Sequence, residues 1–93
     1  MTRLAPAEIR KHVKELRGWS LADEKITKTY RFRTYRAGIR LVNEVAELAE
    51  KANHHPDITI SWRTVVLALT TQDEGGLTER HFRLAKQIDA LRP

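Results

Sequence analysis

The sequence predicts an α+β fold: an antiparallel four-stranded sheet with three helices packed on one face, in the order α-β-β-α-β-β-α. Three observations lead to it. Three segments repeat apolar residues at helical spacing, and two pairs of segments read as short strands. No βαβ crossover repeats along the chain, so nothing asks for a parallel sheet. The 93 residues suit one compact domain spanning 1–93 and are too few for two. No repeat, low-complexity tract or linker divides them.

The first helix is expected to begin at Pro6, since proline suits the first helical position. Its apolar face is Ile9, Val13 and Leu16, and Gly18 is placed to end it. Trp19 to Ala22 reads as a short strand and Asp23-Glu24 as a turn. Lys25 to Phe32 alternates, with Ile26, Tyr30 and Phe32 on one face and Lys25, Thr27, Thr29 and Arg31 on the other. Lys28 falls in the inward phase, which places it toward a sheet edge.

The longest element runs from about Tyr35 to Ala52 and carries two apolar ladders. One is Ile39, Val42, Ala46 and Ala49; the other is Leu41, Val45, Leu48 and Ala52. Together they cover more of the circumference than one core contact needs. A deeply buried central helix would show this, and so would a helix packed on both its own sheet and another subunit. The small chain favours the second, because a monomer of this size buries only about 60% of its unfolded surface.

His55-Pro56 is expected to stop that helix, since the residue before proline is pushed out of the helical region. Asp57 to Trp62 alternates again, with Ile58, Ile60 and Trp62 in phase. Thr64 to Thr71 is rich in β-branched residues. Little more than Arg63 separates the two strands, so they form a tight hairpin or one long bent strand. Gln72 to Gly76 is a loop by composition. Thr78 is a good N-cap for a last helix presenting Leu77, Phe82, Ala85, Ile88 and Leu91.

Composition narrows the function. There are no cysteines, so disulfides and thiolate metal sites are impossible and a reducing, cytoplasmic setting is the expectation. No apolar run has signal-peptide length, and none approaches the roughly 18 residues that span a bilayer. The net charge of +5 raises nucleic acid as a partner. However, the basic residues are dispersed among acids such as Glu44, Glu47 and Glu50. A solvated basic surface fits that pattern better than a phosphate-binding stripe.

Candidates for chemistry are few. No Gly-x-Ser-x-Gly or phosphate-binding loop appears. His54-His55 stands at a helix end, followed by Pro56 and preceded one turn earlier by Glu50. Histidine is the side chain best poised for proton transfer near neutral pH. Neighbouring residues of an extended segment point to opposite sides, so the two imidazoles have different jobs. On spacing alone two alternatives stay open. Both histidines can be helix C-caps, or they can be metal ligands, although no third ligand is evident.

The run Glu50-Lys51-Ala52-Asn53-His54-His55-Pro56-Asp57 resembles the signature of the pterin-4a-carbinolamine dehydratases. The resemblance continues through Trp62, Val65, Leu69-Thr70-Thr71, Gly75-Gly76-Leu77-Thr78 and Leu84-Ala85-Lys86-Gln87-Ile88-Asp89. Upstream, Gly18-Trp19 and Tyr30-Arg31-Phe32 match a Gly-Trp and an aromatic-rich strand, so most of the chain from Gly18 onward is covered. The resemblance implies dehydration of 4a-hydroxytetrahydropterins such as 4a-hydroxytetrahydrobiopterin to quinonoid dihydropterin and water, in pterin recycling. It implies no metal, no organic cofactor, and a homodimer or homotetramer. His54 and His55 match the family's histidine pair, with His55 expected to matter more. Pro56 shapes the pocket, and Glu50 and Trp19 line or support it.

Two positions depart from the family pattern. After Thr71 the family has a catalytic histidine where this chain has Gln72, which can hydrogen-bond a pterin but cannot shuttle a proton. The segment Leu77-Thr78-Glu79-Arg80-His81 ends in His81 where the family has Asp. His81 can titrate and so could stand in for the missing imidazole. As the third residue of the last helix it also replaces the acid that would complete a capping box. These departures support a second expectation: a dehydratase-like protein that binds or assembles a protein partner, as family relatives that act as a transcriptional coactivator or in Rubisco assembly do.

Overall fold

The computed structural model describes residues 3–70 and 76–91. Three helices and four strands follow the predicted order: α1 (Pro6–Lys14), β1 (Trp19–Ala22), β2 (Lys25–Arg31), α2 (Tyr35–Ala52), β3 (Asp57–Ser61), β4 (Thr64–Leu69) and α3 (Glu79–Asp89). The strands form one sheet in the order β1-β2-β4-β3, and every neighbouring pair is antiparallel. Registers such as Ile26↔Leu69, Tyr30↔Val65 and Ile58↔Leu67 bring apolar side chains onto one face. There Ile26, Val65, Leu67 and Leu69 are buried with Leu41 and Val45 of α2 and Phe82, Leu84 and Ile88 of α3. Ile9, Val13 and Leu16 cover the same core from the α1 side and are half-buried. Among the described residues no helix is long and apolar enough to cross a membrane.

Several boundaries differ from expectation for local reasons. α1 stops at Lys14, not near Gly18, because the next amides bond three residues back: Glu15 N–H to His12 O and Leu16 N–H to Val13 O, both at 3.1 Å. Such tightening closes a helix end. Gly18, at φ +75°, shapes the entry into β1 instead. Trp62 is not in phase with Ile58 and Ile60. It lies in the two-residue turn between β3 and β4 with φ +50°, 68% exposed, under the Arg63 guanidinium 4.0 Å from its ring. The pair Ser61↔Thr64 closes that turn, so the strands make a hairpin.

On α2 the two ladders merge. Gly38, Leu41, Val45 and Ala49 are buried, whereas Ala46 and Ala52 are exposed. Ala49 thus belongs to the core stripe. Thr34 starts the helix, its Oγ1 accepting the Ala37 N–H at 3.1 Å. Gly38 lets α2 approach the sheet, since a Cβ there would sit 3.1 Å from Val65 Cγ2.

Lys28 is inward-facing, but not at an edge, because β2 is flanked by β1 and β4. Asp89, at the end of α3, makes that position tolerable. Its carboxylate accepts hydrogen bonds from Lys28 Nζ and Trp19 Nε1, each at 2.8 Å, and from the Arg17 amide at 2.9 Å. The Lys28 and Asp89 side chains are only 14% and 10% exposed. Tyr30 stands beside the pair; burial raises its hydroxyl above the ordinary value of 10.0, with Lys28 partly opposing the shift. The folded state therefore holds the phenol proton more tightly than the unfolded chain, and this contribution is lost as pH climbs above about 10.

At the other end of α3, His81 is fully buried and does what a capping acid would have done. Its Nδ1 accepts the Thr78 backbone N–H at 3.0 Å, and the Thr78 hydroxyl lies 3.1 Å from the same nitrogen. The expected loss of the capping box is corrected: a neutral imidazole supplies its acceptor arm. Leu77 and Phe82, placed as a hydrophobic staple around this start, are buried too.

Two outcomes follow for stability. Asp89→Ala is expected to cost about 3 kcal/mol in urea unfolding, because it strands a nearly buried ammonium, and adding Lys28→Met should recover part of it. His81→Ala is expected to lose about 2–4 kcal/mol through cap and void together, whereas His81→Asp should retain most of the stability. Nitrogen-15 NMR of the wild type should show His81 Nδ1 without a proton.

Candidate active site

α2 ends at Ala52, as its periodicity predicts, but the residue that ends it is Asn53 and not the proline. Helical geometry stops at Ala52, and Asn53 turns left-handed with φ 49° and ψ 44°. The Asn53 amide donates to Glu50 O at 3.3 Å and the His54 amide to Ala49 O at 3.1 Å. This crossed pair is a Schellman ending, and asparagine accepts its left-handed residue at little cost. Pro56 follows three residues later, half-buried, after the helix has already stopped.

The left-handed turn sends the two histidines apart. His54 turns inward: it is half-buried, its Nδ1 is shielded from solvent, and its ring meets His81 edge-to-face at 4.4 Å and 84°. His55 turns outward and back along α2, placing Nε2 2.5 Å from Glu50 Oε2. Both partners of that pair are exposed. With the carboxylate taking the Nε2 proton as a hydrogen bond, His55 Nδ1 is left to accept one, the logic by which an acid orients a catalytic imidazole.

His54 opens onto a cleft of about 220 Å³, whose other walls are Ala52, Arg80, Arg83, Leu84 and Gln87. Arg80 also donates from Nη2 to the Asn53 carbonyl at 3.1 Å, tying α3 to the end of α2. Of the residues expected at a site, His54, His55, Glu50, Pro56 and His81 therefore come together around one helix ending. Trp19 does not line this cleft. It is buried and bonded to Asp89, about 12 Å further along α3 than His81. Thr71 and Gln72 lie outside the described residues.

His81 reaches the site, but its Nδ1 lone pair is taken by Thr78. It can give the Nε2 proton as a hydrogen bond, yet it cannot accept a proton at Nδ1 without breaking the start of α3. A stand-in for a missing proton shuttle is thus a poor description of it. Among the described residues no three His, Cys, Asp or Glu side chains group as metal ligands. Arg80, Arg83 and Gln87 went unremarked in the sequence. Their spacing on the face of α3 away from Phe82, Ala85 and Ile88 is the signal that could have found them.

Known proteins were compared with this architecture. The family model described as pterin 4 alpha carbinolamine dehydratase matches residues 2–91. A protein of Roseiflexus sp. (strain RS-1) is 49% identical over 90 residues, covering 97% of each chain. One of Chloroflexus aurantiacus (strain ATCC 29366 / DSM 635 / J-10-fl) is 48% identical over 91 residues, covering 98% of each. Both are named, only provisionally, as pterin-4-alpha-carbinolamine dehydratases. Among solved structures, a transcriptional coactivator/pterin dehydratase from Brucella melitensis superposes with a TM-score of 0.90 at 30% identity, covering 96% of this chain and 97% of that one. A pterin dehydratase-like protein described as a RuBisCO assembly factor in the alpha-carboxysome shares the fold, with a TM-score of 0.65 at 24% identity over 80% of this chain and 88% of that one. By the extent of the family match and the full-length identity of these relatives, the chain belongs to the pterin-4a-carbinolamine dehydratase family.

Proposed function

We propose that this protein dehydrates a 4a-hydroxytetrahydropterin to quinonoid dihydropterin and water, as part of pterin recycling. The observation that carries the reading is the divergence of His54 and His55 from one left-handed helix ending. One imidazole faces a cleft, and the other is held by a carboxylate. Dehydration needs a proton taken from a ring nitrogen and a proton delivered to the hydroxyl leaving C4a. The C4a–O bond breaks, a C=N bond forms, and water departs. His55 Nδ1, oriented by Glu50, takes the nitrogen proton, and His54 gives its proton to the hydroxyl from the cleft side. Pro56 fixes the segment behind them. By resemblance to the family, Thr71 and Gln72 are substrate-binding candidates whose side chains do not titrate.

The working unit of this reading is a homodimer or homotetramer. β3 is an edge strand whose outer backbone groups can pair, and its own Ile60 is 38% exposed. A second reading, a binding or assembly module, is favoured by Trp62 at the tip of the β3–β4 hairpin. Trp and Arg are both residue types enriched at binding hot spots, and here an exposed Trp lies under an Arg. The coactivator and assembly-factor descriptions of the two structural neighbours lend it support.

The test follows loss of freshly generated 4a-hydroxytetrahydropterin with and without protein. His54→Ala and His55→Ala should each lower the catalysed rate by about 100- to 10,000-fold, and Glu50→Gln should lower kcat while the fold stays intact. A wild-type rate equal to the spontaneous one, unchanged in His55→Ala, would hand the case to the binding module.

A further inference from the structure

The cleft beside His54 has an electrostatic character that a neutral ring system does not explain. Among its described walls two are guanidinium groups, Arg80 and Arg83, and none is a carboxylate. Arg80 is already engaged with the Asn53 carbonyl, so part of its donor fork serves to hold α3 against α2. Arg83 is different. It is exposed, and it makes no hydrogen bond or ion pair among the described residues. Glu79 lies one turn earlier on α3, at the spacing where an Arg–Glu pair forms readily on a helix, yet the two do not pair. Arg83 stands between the His54 cleft and a neighbouring cleft of about 250 Å³ that His12, Glu79, Phe82 and Lys86 also line. Its donors are therefore available to whatever enters beside His54.

We infer that Arg83 is a specificity-determining residue, and that the pterin this protein takes carries an anionic side chain, a carboxylate or a phosphate. This rests on the pterin reading above and deepens it. Ala52 and Leu84 supply apolar wall for the ring, His54 meets the reacting edge, and Gln87 adds a neutral donor and acceptor. The substituent of the ring then extends along α3 toward Arg83. A guanidinium offers a forked pair of N–H donors that matches the two oxygens of a carboxylate or two of a phosphate, and such charge-assisted bonds are roughly twice as strong as neutral ones. Arg80 raises the local positive potential without having to leave its own partner.

Binding separates this inference from catalysis. Pterin-6-carboxylate and 6-hydroxymethylpterin phosphate are titrated against neutral 6-hydroxymethylpterin, by fluorescence or calorimetry, on the full chain. The wild type is expected to hold at least one of the two anionic pterins about 10- to 100-fold more tightly than the neutral one. That preference should shrink as salt is raised, because the cleft is open to solvent. Arg83→Gln should bring the anionic and neutral ligands to within about threefold of each other, with circular dichroism unchanged and the larger loss falling on the anionic ligands. A tighter carboxylate or a tighter phosphate tells the two sources of charge apart. Equal affinities in the wild type, or a preference that survives in Arg83→Gln, would overturn the inference while leaving the pterin reading intact. If none of the three pterins binds, both fall together.

Discussion

Asn53 occupies φ 49° and ψ 44°, and the placement of both histidines depends on it. Had the helix run on through Asn53 to His55, the two imidazoles would have projected about 100° apart from one cylinder, both over the preceding turn. The left-handed residue breaks that relation. Its own amide and that of His54 fold back onto the last turn, and the chain leaves α2 sideways. One ring then meets His81 on α3, while the other lies back against Glu50 on α2. The Arg80 bond to the Asn53 carbonyl locks the same peptide from outside. Two helices, α2 and α3, thus converge on this one residue.

α3 is positioned from both ends by polar groups where a small core alone would leave it free to slide. At its C-terminal end Asp89 gathers the Arg17 amide, the Trp19 indole and the Lys28 ammonium. At its N-terminal end the His81 ring folds back onto Thr78. Between them Phe82, Leu84, Ala85 and Ile88 bury the inner face, so the outer residues Arg80, Arg83 and Gln87 inherit a fixed register against His54. The buried ion pair is weak evidence of net stability, since removing two charges from water costs about as much as their attraction returns. Its effect is on geometry: an unsatisfied Lys28 would penalise any arrangement that moved Asp89 away.

Much of this was legible in the sequence, and what was not has identifiable causes. Period and caps are local, so Pro6, Thr34, the alternation of β2 and Thr78 announce their elements from neighbours within a turn. The errors lie where a distant partner decides. Lys28 reads as an edge residue until Asp89, 61 positions away, is seen to hold it. The partner of the Trp19 indole N–H was equally out of reach of the sequence, since it is that same Asp89. Pro56 looked like the helix stop because proline is the louder signal, whereas Asn53 acts first. Trp62 seemed in phase because alternation cannot show that a two-residue turn has intervened.

On the proposed reaction, Gln72 and His81, where the family resemblance leads one to expect His and Asp, bear on proton stoichiometry in different ways. Dehydration takes one proton from nitrogen and returns one to oxygen, so the substrate's net proton count changes only by the water that leaves. Two titrating groups suffice for that cycle, provided each can regain its starting state. His81 does not enlarge the set, because its acceptor nitrogen is committed to the α3 amide, and the buried ring has no solvent against which to reset. A glutamine at position 72 does not enlarge it either. On the proposed reaction, proton economy therefore falls on His54 and on the His55–Glu50 pair. Of these, the exposed pair is the one in contact with bulk water. Exchange with solvent can restore His55 between turnovers, whereas His54, shielded at Nδ1, depends on the cleft side for its proton. On the proposed reaction, the division between an open base and a sheltered acid follows from the helix ending, set before any substrate arrives.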